Sequence, residues 1–110
     1  LEGACEDMRE LLKNGEEPAR CYFADNDLIA AGAIRALQEF GYRIPRDVGI
    51  IGFDDMPLCV CIEPRLTTVN VPKQYMGKVA VTRLLQIMEP GEHYPVKLEI
   101  GTSIVTRRSV

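Results

Sequence analysis

Residues 20 to 53 restrict the fold more than any other stretch of the sequence. A short apolar run, Arg20-Cys21-Tyr22-Phe23-Ala24, has the length and composition of a strand. After Asp25-Asn26-Asp27 the pattern turns helical from Leu28 to Phe40, with Ile29, Ala33, Ala36, Leu37 and Phe40 on one face. Gly41 ends that period and Pro45 prevents its restart. Val48-Gly49-Ile50-Ile51-Gly52-Phe53 is then apolar without alternation, so it is expected to be buried on both faces, as strands of parallel sheets are. Strand, helix and strand in this span predict a βαβ unit with a right-handed crossover.

The flanks are read in the same way. Ala4 to Asn14 places Cys5, Met8, Leu11 and Leu12 at helical spacing, and Gly15 and Pro18 close the segment. The sequence opens at Leu1 already inside this helix, which suggests a piece of a longer protein. Residues 54 to 65 lack periodicity and lie between Pro57 and Pro64 as a loop. Leu66 to Val71 is rich in β-branched residues and predicts a strand. From Pro72 to Met88 a helix is expected, with a wide apolar face built on Tyr75, Met76, Val79, Ala80, Leu84, Ile87 and Met88. Val96 to Ile100 and Ser103 to Thr106 are expected to be short strands.

Composition removes several functions. Leu, Ile, Val and Phe make up 31 of the 110 residues, enough for a packed core in one domain. The net charge of -3 argues against nucleic-acid binding by these residues, which depends on Lys and Arg neutralising phosphates. Arg107-Arg108 is the only basic doublet. No run approaches the ~18 apolar residues of a membrane span. Cys5, Cys21, Cys59 and Cys61 lack zinc-ligand spacing, and the one histidine, His93, sits in a Gly-Glu-His-Tyr-Pro turn. Reduced thiols and no metal or cofactor are expected.

Two acid-rich clusters, Asp25-Asn26-Asp27 and Asp54-Asp55, follow predicted strands. Ligands of open α/β sheets bind outside the carboxyl ends of the strands. Carboxylates and an amide there would suit the hydroxyls of a polar neutral ligand such as a sugar. The same residues also suit helix capping and turns. A third reading is a Mg2+-dependent acidic site assisted by Thr67, Thr68 and Lys73. No Gly-rich phosphate loop or Ser-His-Asp set accompanies it, so an enzyme is not expected.

The ordered set of motifs is more specific than any one of them. Phe23-Ala24-Asp25-Asn26-Asp27, the small residues Ala30, Gly32 and Ala36 before Gly41, Ile44-Pro45, Ile51-Gly52-Phe53-Asp54-Asp55, Pro64-x-Leu66-Thr67-Thr68-Val69 and Arg107-Arg108-Ser109 follow one another in sequence. Together, over most of residues 18 to 110, they resemble the effector-binding domain of the lactose/galactose repressor family of bacterial transcription regulators.

That resemblance implies a Rossmann-like, three-layer α/β lobe with a mostly parallel sheet, of the periplasmic-binding-protein-like type. It implies a small effector, a sugar or a purine, held between two lobes and altering operator affinity of an N-terminal helix-turn-helix domain. Asn26, Asp27 and Asp54 match effector-site positions, with Asp27 also suited to a structural role. Val71 stands where several members carry a ligand-contacting glutamine, so no particular sugar specificity carries over. Residues 1–110 would form part of the effector domain, without the helix-turn-helix domain and the first lobe. The helix from Pro72 would belong to the other lobe, so its apolar face is expected to seek a second copy, by homodimerisation or helix exchange. The helix bearing Gly32 and the loop with Cys59 and Cys61 match the family's dimer interface; for Gly32 the simpler alternative is tight packing of its helix on the sheet. A cytoplasmic regulator with no membrane contact is the expectation, and a fragment of a periplasmic sugar-binding transport protein is the alternative.

Overall fold

The computed structural model describes residues 1–110. Its helices are α1 (Glu2–Lys13), α2 (Asp27–Glu39) and α3 (Lys73–Met88). The strands are β1 (Cys21–Phe23), β2 (Gly49–Phe53), β3 (Thr67–Asn70) and β4 (Ser103–Val105). A 3-10 turn, Pro57–Val60, lies in the loop between β2 and β3.

The sheet order is β1-β2-β3-β4. β1, β2 and β3 run parallel, with Phe23 beside Ile51 and Phe53 beside Val69. β4 returns antiparallel to β3 and pairs Val105 with Thr68. This is the mostly parallel α/β architecture that the strand–helix–strand pattern requires.

The core lies where α2 packs between β2 and α1. Cys5, Met8 and Leu12 of α1 meet Ala30, Ala33, Ile34 and Leu37 of α2, with Val48, Ile50 and Leu66 beneath. Leu11, Ile29 and Phe40, expected on the buried faces, are each about two-fifths exposed at the margins. Gly32 faces neither the sheet nor open surface. A Cβ there would collide with the Leu1 carbonyl and approach Ala4 Cβ to 3.1 Å, so its missing side chain lets α1 cross α2 closely.

The second half departs from this body. No residue of α3 is buried, and Met76, Leu84, Leu85 and Met88 are all at least two-fifths exposed. The Cα radius of gyration is 18.7 Å, against about 13 Å for a compact domain of this size. The longest dimension is 62 Å. α3 and the segment after it form a projecting arm.

The expected strand at Val96–Ile100 does not form. The arm offers these residues no strand to pair with. Their alternating apolar side chains are used differently: Leu98 and Ile100 line a hollow with Val79 and Leu84 of α3. Arg83 secures the same segment by donating to the Tyr94 carbonyl at 2.8 Å.

Candidate ligand site at the carboxyl ends of the strands

Because β1, β2 and β3 are parallel, the residues that follow them leave one edge of the sheet. Asn26 follows β1, Asp54 follows β2, and Val71 follows β3. A shallow hollow of about 380 Å³ lies at the end of β3, lined by Asn70 to Tyr75.

The acids there divide into two kinds. Asp27 is fully buried. Its Oδ2 accepts the Met56 N–H at 2.7 Å and its Oδ1 accepts the Thr68 hydroxyl at 2.5 Å. Asp27 therefore offers no free oxygen to a ligand; it pins the start of α2 to β3 and to the loop after β2. Gly52 makes room for it, since a Cβ at that position would strike Asp27 Oδ1 and come within 2.9 Å of Leu66. Beside it the buried Cys59 thiol is pushed up to about 12, by burial first and then by the Asp27 carboxylate.

Asp55 is also committed. Its Oδ1 accepts from Arg107 at 2.7 Å and its Oδ2 from the Asn70 amide at 2.9 Å. Burial pushes its carboxyl up, but the Arg107 and Asn70 hydrogen bonds outweigh burial and hold it below its ordinary range.

Asp54 differs from both. Its backbone is fixed, with its N–H donating to Val69 at 3.0 Å and its carbonyl accepting the Lys73 ammonium. Its carboxylate makes no hydrogen bond within the chain, and the side chain is only half-buried. Asn26 is intermediate. Its Oδ1 caps α2 by accepting from Ile29 N–H at 2.9 Å, which leaves its amide N–H groups free. The capping reading of Asn26 is thus correct, and it is compatible with donation to a ligand.

The Mg2+ reading loses its ligands to these pairings. Asp27 and Asp55 are filled by donors from the chain itself, and no three acidic, His or Cys side chains are arranged around a common point.

Nothing in the local sequence of Arg107-Arg108-Ser109 indicates what it supports. The structure lays it across the sheet. The Ser109 hydroxyl donates to the Ile50 carbonyl at 2.5 Å and accepts from Thr67 N–H at 2.9 Å. The Arg107 guanidinium donates to the Leu66 carbonyl at 2.8 Å as well as to Asp55. Thr68, Asn70 and Lys73 likewise support the strand-end turn, through the Asp55 N–H, the Asp55 carboxylate and the Asp54 carbonyl. Only their proximity in the folded chain shows that role.

The family model described as a periplasmic binding protein-like domain matches residues 2–110. The chain belongs to that family. Within it, the effector-domain resemblance to lactose/galactose repressors holds along the chain. The ribose operon repressor of Haemophilus influenzae is 39% identical over 111 residues, covering 100% of this chain and 33% of that protein. The HTH-type transcriptional repressor PurR of Aliivibrio salmonicida is 36% identical over 107 residues, 97% of this chain and 32% of that protein. Among solved structures, a dimeric Lac repressor with a C-terminal deletion superposes with a TM-score of 0.87 at 30% identity, covering 96% of this chain and 38% of that one. The chain spans about a third of the length of the curated relatives it matches. These periplasmic-binding-protein-like relatives are named as repressors, not as enzymes or transport proteins.

Proposed function

We propose that this chain is the effector-binding part of a cytoplasmic bacterial transcription regulator. In this reading a small polar effector, a sugar or a purine, rests against the strand ends, and the rest of its cleft comes from a lobe outside these residues. Effector binding then changes operator affinity through a helix-turn-helix domain that is also outside them. One observation carries the reading: at the carboxyl edge of the sheet the half-buried Asp54 keeps its carboxylate free of any bond within the chain, while Asp27 and Asp55 are taken up by Thr68, Met56, Arg107 and Asn70. The Asn26 amide supplies the matching donor. A carboxylate and an amide donor address hydroxyls or base edges equally well, so the effector is given as a class.

The test is calorimetric titration of the full-length protein with a panel of sugars and purine bases, followed by Asp54→Ala. The variant is expected to lose at least about tenfold in affinity for whichever compound binds. Unchanged affinity would overturn the role of Asp54.

The exposed apolar face of α3 supports a second part of the proposal, that the isolated chain associates with another copy and does so by exchanging this helix. Large exposed apolar patches are uncommon on stable monomers. Sedimentation of the 110-residue chain should show a dimer or larger species at micromolar concentration; a stable monomer would refute it.

A further inference from the structure

We propose that Arg107 is a positioning residue for the Asp54 carboxylate, acting through Asp55. The inference rests on reading Asp54 as an effector contact and adds what sets its direction.

The turn after β2 holds two consecutive non-glycine residues in the left-handed region, Asp54 at φ 108° and Asp55 at φ 52°. L-residues avoid this conformation, and they persist there only when the surroundings over-determine them. Here the surroundings are explicit. Arg107 takes one oxygen of Asp55 and the Asn70 amide takes the other, so the carboxylate is held from two directions. The guanidinium is itself anchored on the Leu66 carbonyl, and the Arg107 N–H donates to Thr67 Oγ1 at 2.8 Å. A planar guanidinium with two fixed acceptors is a rigid strut, which a lysine is not.

The origin of the strut gives it a second meaning. β4 is the strand by which the chain returns from the arm, and Arg107 follows it within two residues. Lys73, the first residue of α3, is where the chain enters the arm, and its ammonium holds the Asp54 carbonyl. Both connections between body and arm therefore end on the same turn.

The experiment uses the full-length protein with D-ribose and adenine as probes. In crystal structures, Arg107→Met should let Asp55 leave the left-handed region and displace the Asp54 carboxylate, and the titrated affinity for the bound probe should fall about tenfold. Arg107→Lys, which keeps the charge on a single donor, should fall between. On an Asp54→Ala background, Arg107→Met should weaken binding no further, whereas a merely structural role would add its full effect. An unmoved turn in Arg107→Met, or additive losses, overturns the proposal. Should Arg107→Met fail to fold, the same readings are taken on Arg107→Lys, where an unmoved turn also overturns it. A wild-type protein that binds neither probe counts against the effector reading alone, and the geometry of the turn still decides the hold of Arg107.

Discussion

The Thr68 hydroxyl donates to Asp27 Oδ1 at 2.5 Å, and neither residue is exposed to solvent. This bond joins the first turn of α2 to the centre of β3, and the second Asp27 oxygen holds the loop through Met56. Removing the carboxylate leaves a buried hydroxyl and a backbone N–H without their acceptor. Asp27→Ala should therefore cost about 3 kcal/mol in urea unfolding. Asp27→Asn keeps one oxygen and should lose less. Equal losses in the two variants would mean that Asp27 acts by shape alone.

Two glycines should respond to alanine with opposite signs. At Gly52 a Cβ collides with Asp27 and Leu66, so Gly52→Ala should destabilise by about 1–3 kcal/mol through overpacking. At Gly3, inside α1, nothing lies within 4 Å of an added Cβ. Gly3→Ala should stabilise by about 0.5–1 kcal/mol through helix propensity. Urea midpoints of the two variants check both signs.

Acid should weaken the Asp55 pairing. A carboxyl whose pKa folding lowers contributes stability that is fully present above its unfolded value and lost as the pH falls through the folded one. The unfolded value for an aspartate is about 3.9, so the Asp55 contribution is intact at neutral pH and fades below about pH 4. Asp47, held down to about 2 chiefly by hydrogen bonds from Arg43, titrates in the same acid range. The contribution of Asp55 is isolated by difference: wild type should lose more stability between pH 5 and pH 3 than Asp55→Asn does. Parallel losses would show that the Arg107 pairing adds nothing net.

Thiol labelling should separate the cysteines into two pairs. Cys21 and Cys61 are exposed, whereas Cys5 and Cys59 are buried. Cys59 is doubly protected, because the reactive species is the thiolate and its pKa is pushed up to about 12. A colorimetric disulfide reagent should titrate Cys21 and Cys61 in the native chain and all four thiols in denaturant. Rapid native labelling of Cys59 would show that the loop after β2 opens readily.

The sequence revealed the parts of this fold whose pattern is local. The apolar run Val48 to Phe53 and the helical period from Leu28 require only neighbouring residues to be read, and both elements stand within a residue or two of their expected limits. Val96 to Ile100 misled because alternation reports a two-sided environment, not a strand partner, and a helix supplies one side as well as a sheet does. Gly32 was legible as a close approach, though not which element approaches. The candidate site was half legible. Asp54 and Asn26 could be placed by their position after strands. The pairing of Asp55 with Arg107, 52 residues away, and of Asp27 with Thr68, 41 residues away, has no periodic signature.

The Ser109 bridge has a consequence for the timing of folding. Ile50 lies in the second strand, yet the Ser109 hydroxyl that satisfies its carbonyl comes 59 positions later. At the usual ~5–20 residues per second of synthesis, Ile50 waits roughly 3–12 seconds for that partner. Through that interval the nascent chain exposes the seam between β2 and β3, with a backbone carbonyl and the Thr67 N–H still bonded to water. The seam of this sheet is therefore completed only when Ser109, 59 positions after Ile50, has emerged.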